Sequence, residues 1–176
     1  MRDDDDDLAA EVESIAHETR RVLEQLDATS HEAARRVRDA IPGDRSAFPD
    51  NWCGFASCVL GLRLARILRR GDIDQCRWDG TGGLEAHFWL RIGDLDIDIT
   101  ADQFGEDLKG VVVEAGSVLH RRWFPNPGVV PLLARKPSTR PFEIAVVHLD
   151  EALRAESSRA DAIRCLRTIG DAPSPS

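Results

Sequence analysis

Apolar residues recur every three or four positions in the first part of the chain. Leu8, Val12, Ile15, Val22, Leu23 and Leu26 form one stripe, the spacing of an amphipathic helix over residues 3–27. Asp27-Ala28-Thr29-Ser30 breaks the stripe. Thr29 and Glu32 then have capping-box spacing. Ala33, Val37, Ala40 and Ile41 predict a second helix, which Pro42-Gly43 ends. Two such helices make an antiparallel hairpin that covers one side of a core. Between Cys53 and Arg70 the pattern changes. Val59, Leu62, Leu64, Ile67 and Leu68 put apolar side chains on more than one face, which predicts the most buried helix of the chain. Gly71, after Arg69-Arg70, reads as its left-handed cap.

The period then falls to two. Ile73 to Trp78 reads as a short strand and Asp79-Gly80-Thr81-Gly82-Gly83 as a turn. From Ala86 to Ile92, Phe88, Leu90 and Ile92 share one face; His87, Trp89 and Arg91 share the other. Gly93-Asp94 is a hairpin signal. In the run from Leu95 to Thr100, Leu95, Ile97 and Ile99 oppose Asp96, Asp98 and Thr100. Farther on, Val111-Val112-Val113 predicts a strand, Leu119 to Pro127 a loop, and Pro131 to Pro141 irregular chain. Leu149, Leu153, Ile163, Leu166 and Ile169 predict a last helix over residues 149–169, and residues 171–176 a disordered tail. The expected architecture is α+β: one domain over residues 1–170. A helical hairpin occupies residues 1–42, and the buried helix packs on a small antiparallel sheet within residues 43–170.

Composition narrows the partners. The chain has 176 residues, 42% of them hydrophobic, a formal charge of -8 and a pI near 5.1. That balance argues against nucleic acid or an anionic membrane as a partner, since both need a basic surface. The arginines at 35–38 and 63–70 read as solvated helix faces. No run approaches the roughly 18 apolar residues of a membrane span. Met1-Arg2 followed by Asp3 to Asp7 is the opposite of a signal peptide, so a cytoplasmic site of synthesis is expected, with export by another route left open. The acidic run suits the positive end of a helix dipole. The stripe of the first helix is near enough to a heptad to offer a homodimer contact. Four cysteines, Cys53, Cys58, Cys76 and Cys165, are too few for a disulfide scaffold.

The chemistry is concentrated between Asn51 and Thr100. Cys53 opens a helix, where unpaired backbone N–H groups favour an anion, and the thiolate is the nucleophilic form of cysteine. A histidine beside it can take and return a proton, and a third polar group can fix the ring. His87 lies on the first hairpin strand. Asp98 is the candidate carboxylate on the second, and Asp96, on the same face, is its rival. Gly54 leaves room for close approach to the backbone. The Cys53 amide is a natural oxyanion donor, with Asn51 or Trp52 as a second. Trp52, Trp89 and Trp123-Phe124 are candidates to line a substrate groove. Cys53, Cys58, Cys76 and His87 have the ligand types of a structural zinc site. However, helix positions five apart point about 140° from each other. The aspartates lack the glycine and terminal glutamate of a calcium loop.

Cys53, Ala56, the helix end Ile67-Leu68-Arg69-Arg70-Gly71, His87-Phe88-Trp89-Leu90 and Asp98-Ile99-Thr100 together resemble the transglutaminase-like core, within the wider papain-like cysteine enzymes. The resemblance covers about residues 51–104. Arylamine N-acetyltransferases use the same order of cysteine, histidine and aspartate. The resemblance implies a papain-like fold in which Cys53 is the nucleophile, His87 the general base and Asp98 the orienting carboxylate. It implies cysteine-dependent chemistry at an amide or acyl centre, with a protein or peptide amide as substrate and no metal or organic cofactor. Hydrolysis, glutamine deamidation and acyl transfer all occur among compact bacterial members. Three positions depart from the patterns: Ile99 stands for a proline, Phe88 for an alanine, and Ala47 for the upstream glutamine of papain-like enzymes. A non-catalytic interaction module on the same fold is the alternative.

Overall fold

A computed structural model of the protein describes residues 2–28, 48–80, 86–105 and 108–132. The predicted second helix, the C-terminal helix and the tail lie outside these residues. Helix α1 runs from Arg2 to Ala28, so the aspartates sit within its first turns. Val12, Ile15, Ala16 and Leu23 are buried, with Leu8 and Val22 packed against the same core. These members of the apolar stripe pack within the chain. Thr19 sits on that buried face because its hydroxyl donates to the Ile15 carbonyl at 2.7 Å, which satisfies the group inside its own helix.

Helix α2 spans Cys53–Ile67 and buries Phe55, Ala56, Val59, Leu60 and Leu64. It ends three residues before the expected Arg70. The left-handed residue is Arg69, at φ 52°, and not Gly71. The Arg70 N–H donates to the Ala65 carbonyl at 3.1 Å, the long closing bond of a Schellman turn. The turn therefore forms around an arginine, although glycine adopts this conformation at lower cost.

Five antiparallel strands follow: β1 (Asp74–Asp79), β2 (Ala86–Ile92), β3 (Leu95–Asp98), β4 (Val112–Ala115) and β5 (Gly128–Pro131), in the spatial order β4-β3-β2-β1-β5. The β2–β3 hairpin turns where the sequence predicts, with Gly93 at φ 62° and Arg91 opposite Asp96. A 3-10 turn, Ala101–Phe104, continues from β3. The expected loop from Leu119 contains a short helix, α3 (Val118–Trp123), whose start is capped by the Ser117 hydroxyl. Six residues are too few to show a helical period, and for this reason the sequence pattern does not reveal it. Pro131, expected in irregular chain, ends edge strand β5, a place where a missing N–H does no harm.

The fold is α+β. Leu90, Ile92, Leu95, Ile97 and Ile99 face the helices and build the main core with them. On the other sheet face, Cys76, Trp89 and Phe124 form a second cluster, flanked by Trp78, Phe104 and Leu119. Both faces of the hairpin are therefore covered, and the candidate site lies on the second.

Arg20 of α1 ties the layers together. It forms a two-pronged ion pair with Asp102 at 2.7 and 2.8 Å, and it also donates to the Ile99 and Gly110 carbonyls at 2.9 and 2.8 Å. The chain just after Asp98 is anchored in this way. Replacing Arg20 with alanine should cost about 3 kcal/mol, the loss of hydrogen bonds to a charged group that is mostly shielded. Replacing the neighbouring exposed Arg21 should change stability by less than about 0.5 kcal/mol. Urea unfolding of both variants checks this; equal costs would contradict it.

Candidate active site

Strand alternation places His87, Trp89, Arg91, Asp96 and Asp98 on one face of the hairpin. Three acidic residues in five positions suggest a solvated face, yet Asp96 is 1% exposed and Asp98 2%. Their carboxylates have different partners. Asp96 accepts from the Trp89 indole at 3.0 Å, from Arg91 at 2.7 and 2.8 Å and from the Ser117 backbone at 3.2 Å. It thereby docks α3 on the sheet. Asp98 Oδ2 lies 2.7 Å from His87 Nε2 and 3.2 Å from His120 Nε2. Its Oδ1 accepts from the Thr100 amide at 2.8 Å and the Thr100 hydroxyl at 3.1 Å. Of the two candidate aspartates, Asp98 is therefore the one that reaches His87. Thr100 is part of the site because it holds the second carboxylate oxygen.

His87 is fully buried. Its ring is surrounded by Phe124 at 4.5 Å, Phe104 at 4.7 Å and Trp89 at 5.7 Å between centroids. The amide of Gln103, from the 3-10 turn, lies 2.9 Å from Nδ1. A half-turn lets a primary amide present either N–H or oxygen, so Gln103 can partner both the neutral and the charged ring. Helix α2 brings Cys53 to the start of β2. Gly54 rests against the Phe88 ring, where an added Cβ would stand 3.4 Å away; the close approach that this glycine permits is to Phe88. Cys53 is 5% exposed, and its thiol donates to the Ala86 carbonyl at 3.6 Å. That bond brings the sulfur to the residue that precedes His87. The resting thiol's directed hydrogen bond goes to Ala86, and its link to His87 is one of proximity.

The electrostatics favour a charged histidine. Burial pushes His87 down, but the Asp98 charge and hydrogen bond, with a smaller contribution from Cys53, outweigh it and raise the ring to about 9 from an ordinary 6.5. Burial alone would push Asp98 up. The His87 charge and the hydrogen bonds from His120 and His87 reverse this, and hold Asp98 well below the usual carboxylate range. Buried Cys76, by contrast, is pushed up to about 11, chiefly by burial, which keeps it a protonated, poor nucleophile.

The structure separates other candidates. Cys58 accepts from Gln75 at 3.4 Å near the helix–sheet layer, whereas Cys76 belongs to the cluster on the far face. The zinc set of Cys53, Cys58, Cys76 and His87 is therefore not assembled. Among the described residues, the group close enough to hold an ion is His87, Asp98 and His120, with ligand atoms within 4.8 Å of one another. Its spacing is that of hydrogen bonds. Two ligands at zinc bond lengths stand about 3.3 Å apart in a tetrahedron, wider than the 2.7 Å between His87 and Asp98. Trp52, Trp89 and Phe124 are buried in the two cores instead of lining a groove, and Trp123 is the exposed member at 47%. Trp52 packs edge-on against Phe48 and Phe55. Asn51 is exposed, at φ 62°. The N-cap residue of α2, Trp52, makes no side-chain cap bond, and the Cys53 amide at this helix start stays the oxyanion candidate.

Sequence reasoning missed His120 and Gln103. The Ser117 cap three residues before His120 was the available signal, but a lone serine before six residues of weak pattern does not stand out. Gln103 follows Thr100 by one 3-10 turn and is positioned by that turn alone.

The His87 shift makes stability depend on pH. The folded ring binds its proton more tightly than the unfolded one, so the stabilisation is complete below pH 6.5 and is lost as pH rises through about 9. At about 1.4 kcal/mol per unit the loss is on the order of 3 kcal/mol. The depressed Asp98 works oppositely: its share is present above the unfolded carboxylate value and is lost as pH falls through the folded one. Urea unfolding across pH should therefore show wild-type stability declining on the alkaline side, with the decline flattened in Asp98→Asn. Parallel curves for the two proteins would contradict this origin. No protein-family model, curated protein or solved structure matches the chain.

Proposed function

We propose that the protein is a thiol enzyme of the transglutaminase-like and papain-like type, acting at an amide or acyl centre of a protein or peptide. The observation that carries this reading is the His87 ring, with Asp98 2.7 Å from Nε2 and the Cys53 thiol hydrogen-bonded to the carbonyl of Ala86, the residue before His87. Cys53 attacks the carbonyl carbon as a thiolate, its proton having passed beforehand to His87, which is then the imidazolium. The tetrahedral oxyanion is stabilised by backbone N–H groups at the start of α2, the Cys53 amide first. His87 returns the proton to the leaving amine, and an acyl-thioester remains on Cys53. Water or an amine then resolves it, giving hydrolysis, deamidation or acyl transfer. Asp98 keeps Nε2 of His87 engaged, so that Nδ1 is the nitrogen left to exchange protons. For that exchange Gln103 yields its place at Nδ1 to the thiol proton.

The burial of these groups supports the same chemistry. In a dry aromatic surround the attraction between Asp98 and the charged His87 is stronger than in water. A solvated surface face would give the three residues no such coupling. The negatively charged chain fits a protein or peptide substrate better than a polyanion.

Two measurements test the proposal. Brief iodoacetamide treatment at mildly acidic pH, read by peptide mass spectrometry, should label Cys53 ahead of Cys58, Cys76 and Cys165; equal labelling of all four would sink the enzyme reading and favour a non-catalytic module. Incubation with glutamine-containing peptides should reveal the branch, through cleavage, conversion of an amide to an acid, or attachment of an added amine. Cys53→Ala should abolish the product, and Asp98→Asn should lower its rate by a factor on the order of 10² to 10⁴.

A further inference from the structure

His120 carries chemistry that the triad does not use. It is 1% exposed, sits 4.8 Å from Trp89 between ring centroids, and its ring lies 15° from parallel to that of His87. Nε2 is 3.2 Å from the same oxygen of Asp98 that His87 approaches. Nδ1 has no hydrogen-bond partner among the described residues. The tautomer that fits carries its hydrogen on Nε2, donates to Asp98 and leaves the bare lone pair unpartnered. An unpartnered buried polar atom is costly, and an apolar ring would fill this place without that cost. Packing alone therefore does not explain a histidine here.

The approach is also built. Asp96 holds the Ser117 amide, and the Ser117 hydroxyl accepts from the His120 backbone at 3.4 Å, which fixes the start of α3 over the sheet. A carboxylate accepts about four hydrogen bonds. The Thr100 amide and hydroxyl occupy one oxygen of Asp98, and His87 and His120 share the other.

We propose that His120 is a positioning residue: by donating to the oxygen that His87 uses, it fixes the Asp98 carboxylate and limits how tightly Asp98 holds the His87 proton. This rests on the thiol-acyl reading given above. With His120 in place, the charge of that oxygen is divided between two N–H donors. Without it, Asp98 pulls on His87 alone, and the imidazolium releases its proton to the leaving group less readily. The titratable groups around His87 are Asp98 from β3, Cys53 from α2 and His120 from α3, with Cys76 of β1 in the adjoining cluster. Asp96 is engaged by Arg91, Trp89 and Ser117. The 3-10 turn contributes Gln103 and Phe104, which carry no charge.

The test compares His120→Phe, which keeps a ring but no donor, with His120→Gln, which keeps an N–H. Two readouts are taken: the rate at which Cys53, once acylated by p-nitrophenyl acetate, releases its acyl group, and the pH at which the His87 ring titrates by NMR. In His120→Phe the His87 titration should move to higher pH and release of the acyl group from Cys53 should slow on the order of tenfold, less than the 10²-fold or more expected for loss of an acid–base group itself. His120→Gln should restore both. If His120→Phe does not fold, His120→Met, which fills the volume flexibly, takes its place. A folded donor-free variant with unchanged His87 titration and unchanged rates overturns the inference while leaving the thiol reading intact. A wild-type protein that is not acylated at Cys53 overturns the thiol reading, and the inference falls with it. Equimolar zinc on the purified protein, lost in His120→Phe and His120→Gln alike, also overturns it.

Discussion

A carboxylate removed from water needs partners, and the arrangement of this sheet face follows from that need at Asp98. Four donors surround it: two imidazoles on one oxygen and the amide and hydroxyl of Thr100 on the other. Removing a buried anion from water costs several kcal/mol even after relaxation. An acid at this depth therefore persists only where hydrogen bonds and opposite charge offset the cost. The offset comes from elements far apart in sequence. His87 comes from β2, Thr100 from the end of β3, and His120 from α3. Arg20 of α1 anchors the chain at Ile99 and Asp102 on either side of Thr100.

The two aspartates of β3 divide the work. Asp96 gathers Trp89, Arg91 and the Ser117 amide, and so sets the position of α3. Asp98 gathers the imidazoles. The first makes the second possible, because the helix that Asp96 docks is the one that brings His120 to Asp98. The aromatic cluster of Trp89, Phe104 and Phe124 then closes over the rings. Low polarity around a paired charge strengthens the pair, and it also penalises any variant that leaves one partner alone.

Much of this was legible in the chain. The stripe of α1, the start of α2 at Cys53, the β2–β3 hairpin and its turn at Gly93 follow from periodicity and turn chemistry, and the candidates Cys53 and His87 follow from their places on those elements. The choice between Asp96 and Asp98 was not legible, since alternation puts both on one face and cannot say which reaches a diagonal neighbour. Nor was the burial of that face: it depends on Phe124 and α3, which pack on it from later in the chain. The left-handed turn at Arg69 escaped because glycine chemistry points two residues farther on. His120 escaped because six residues do not establish a helical period and because its role exists only in three dimensions.

The most direct test is where the protons reside. A neutron crystal structure near neutral pH would place them at Cys53, His87, Asp98 and His120. The expected result is a proton on both ring nitrogens of His87, none on Asp98, and the Cys53 sulfur adjacent to His87. A neutral His87 with a protonated Asp98 would contradict the account.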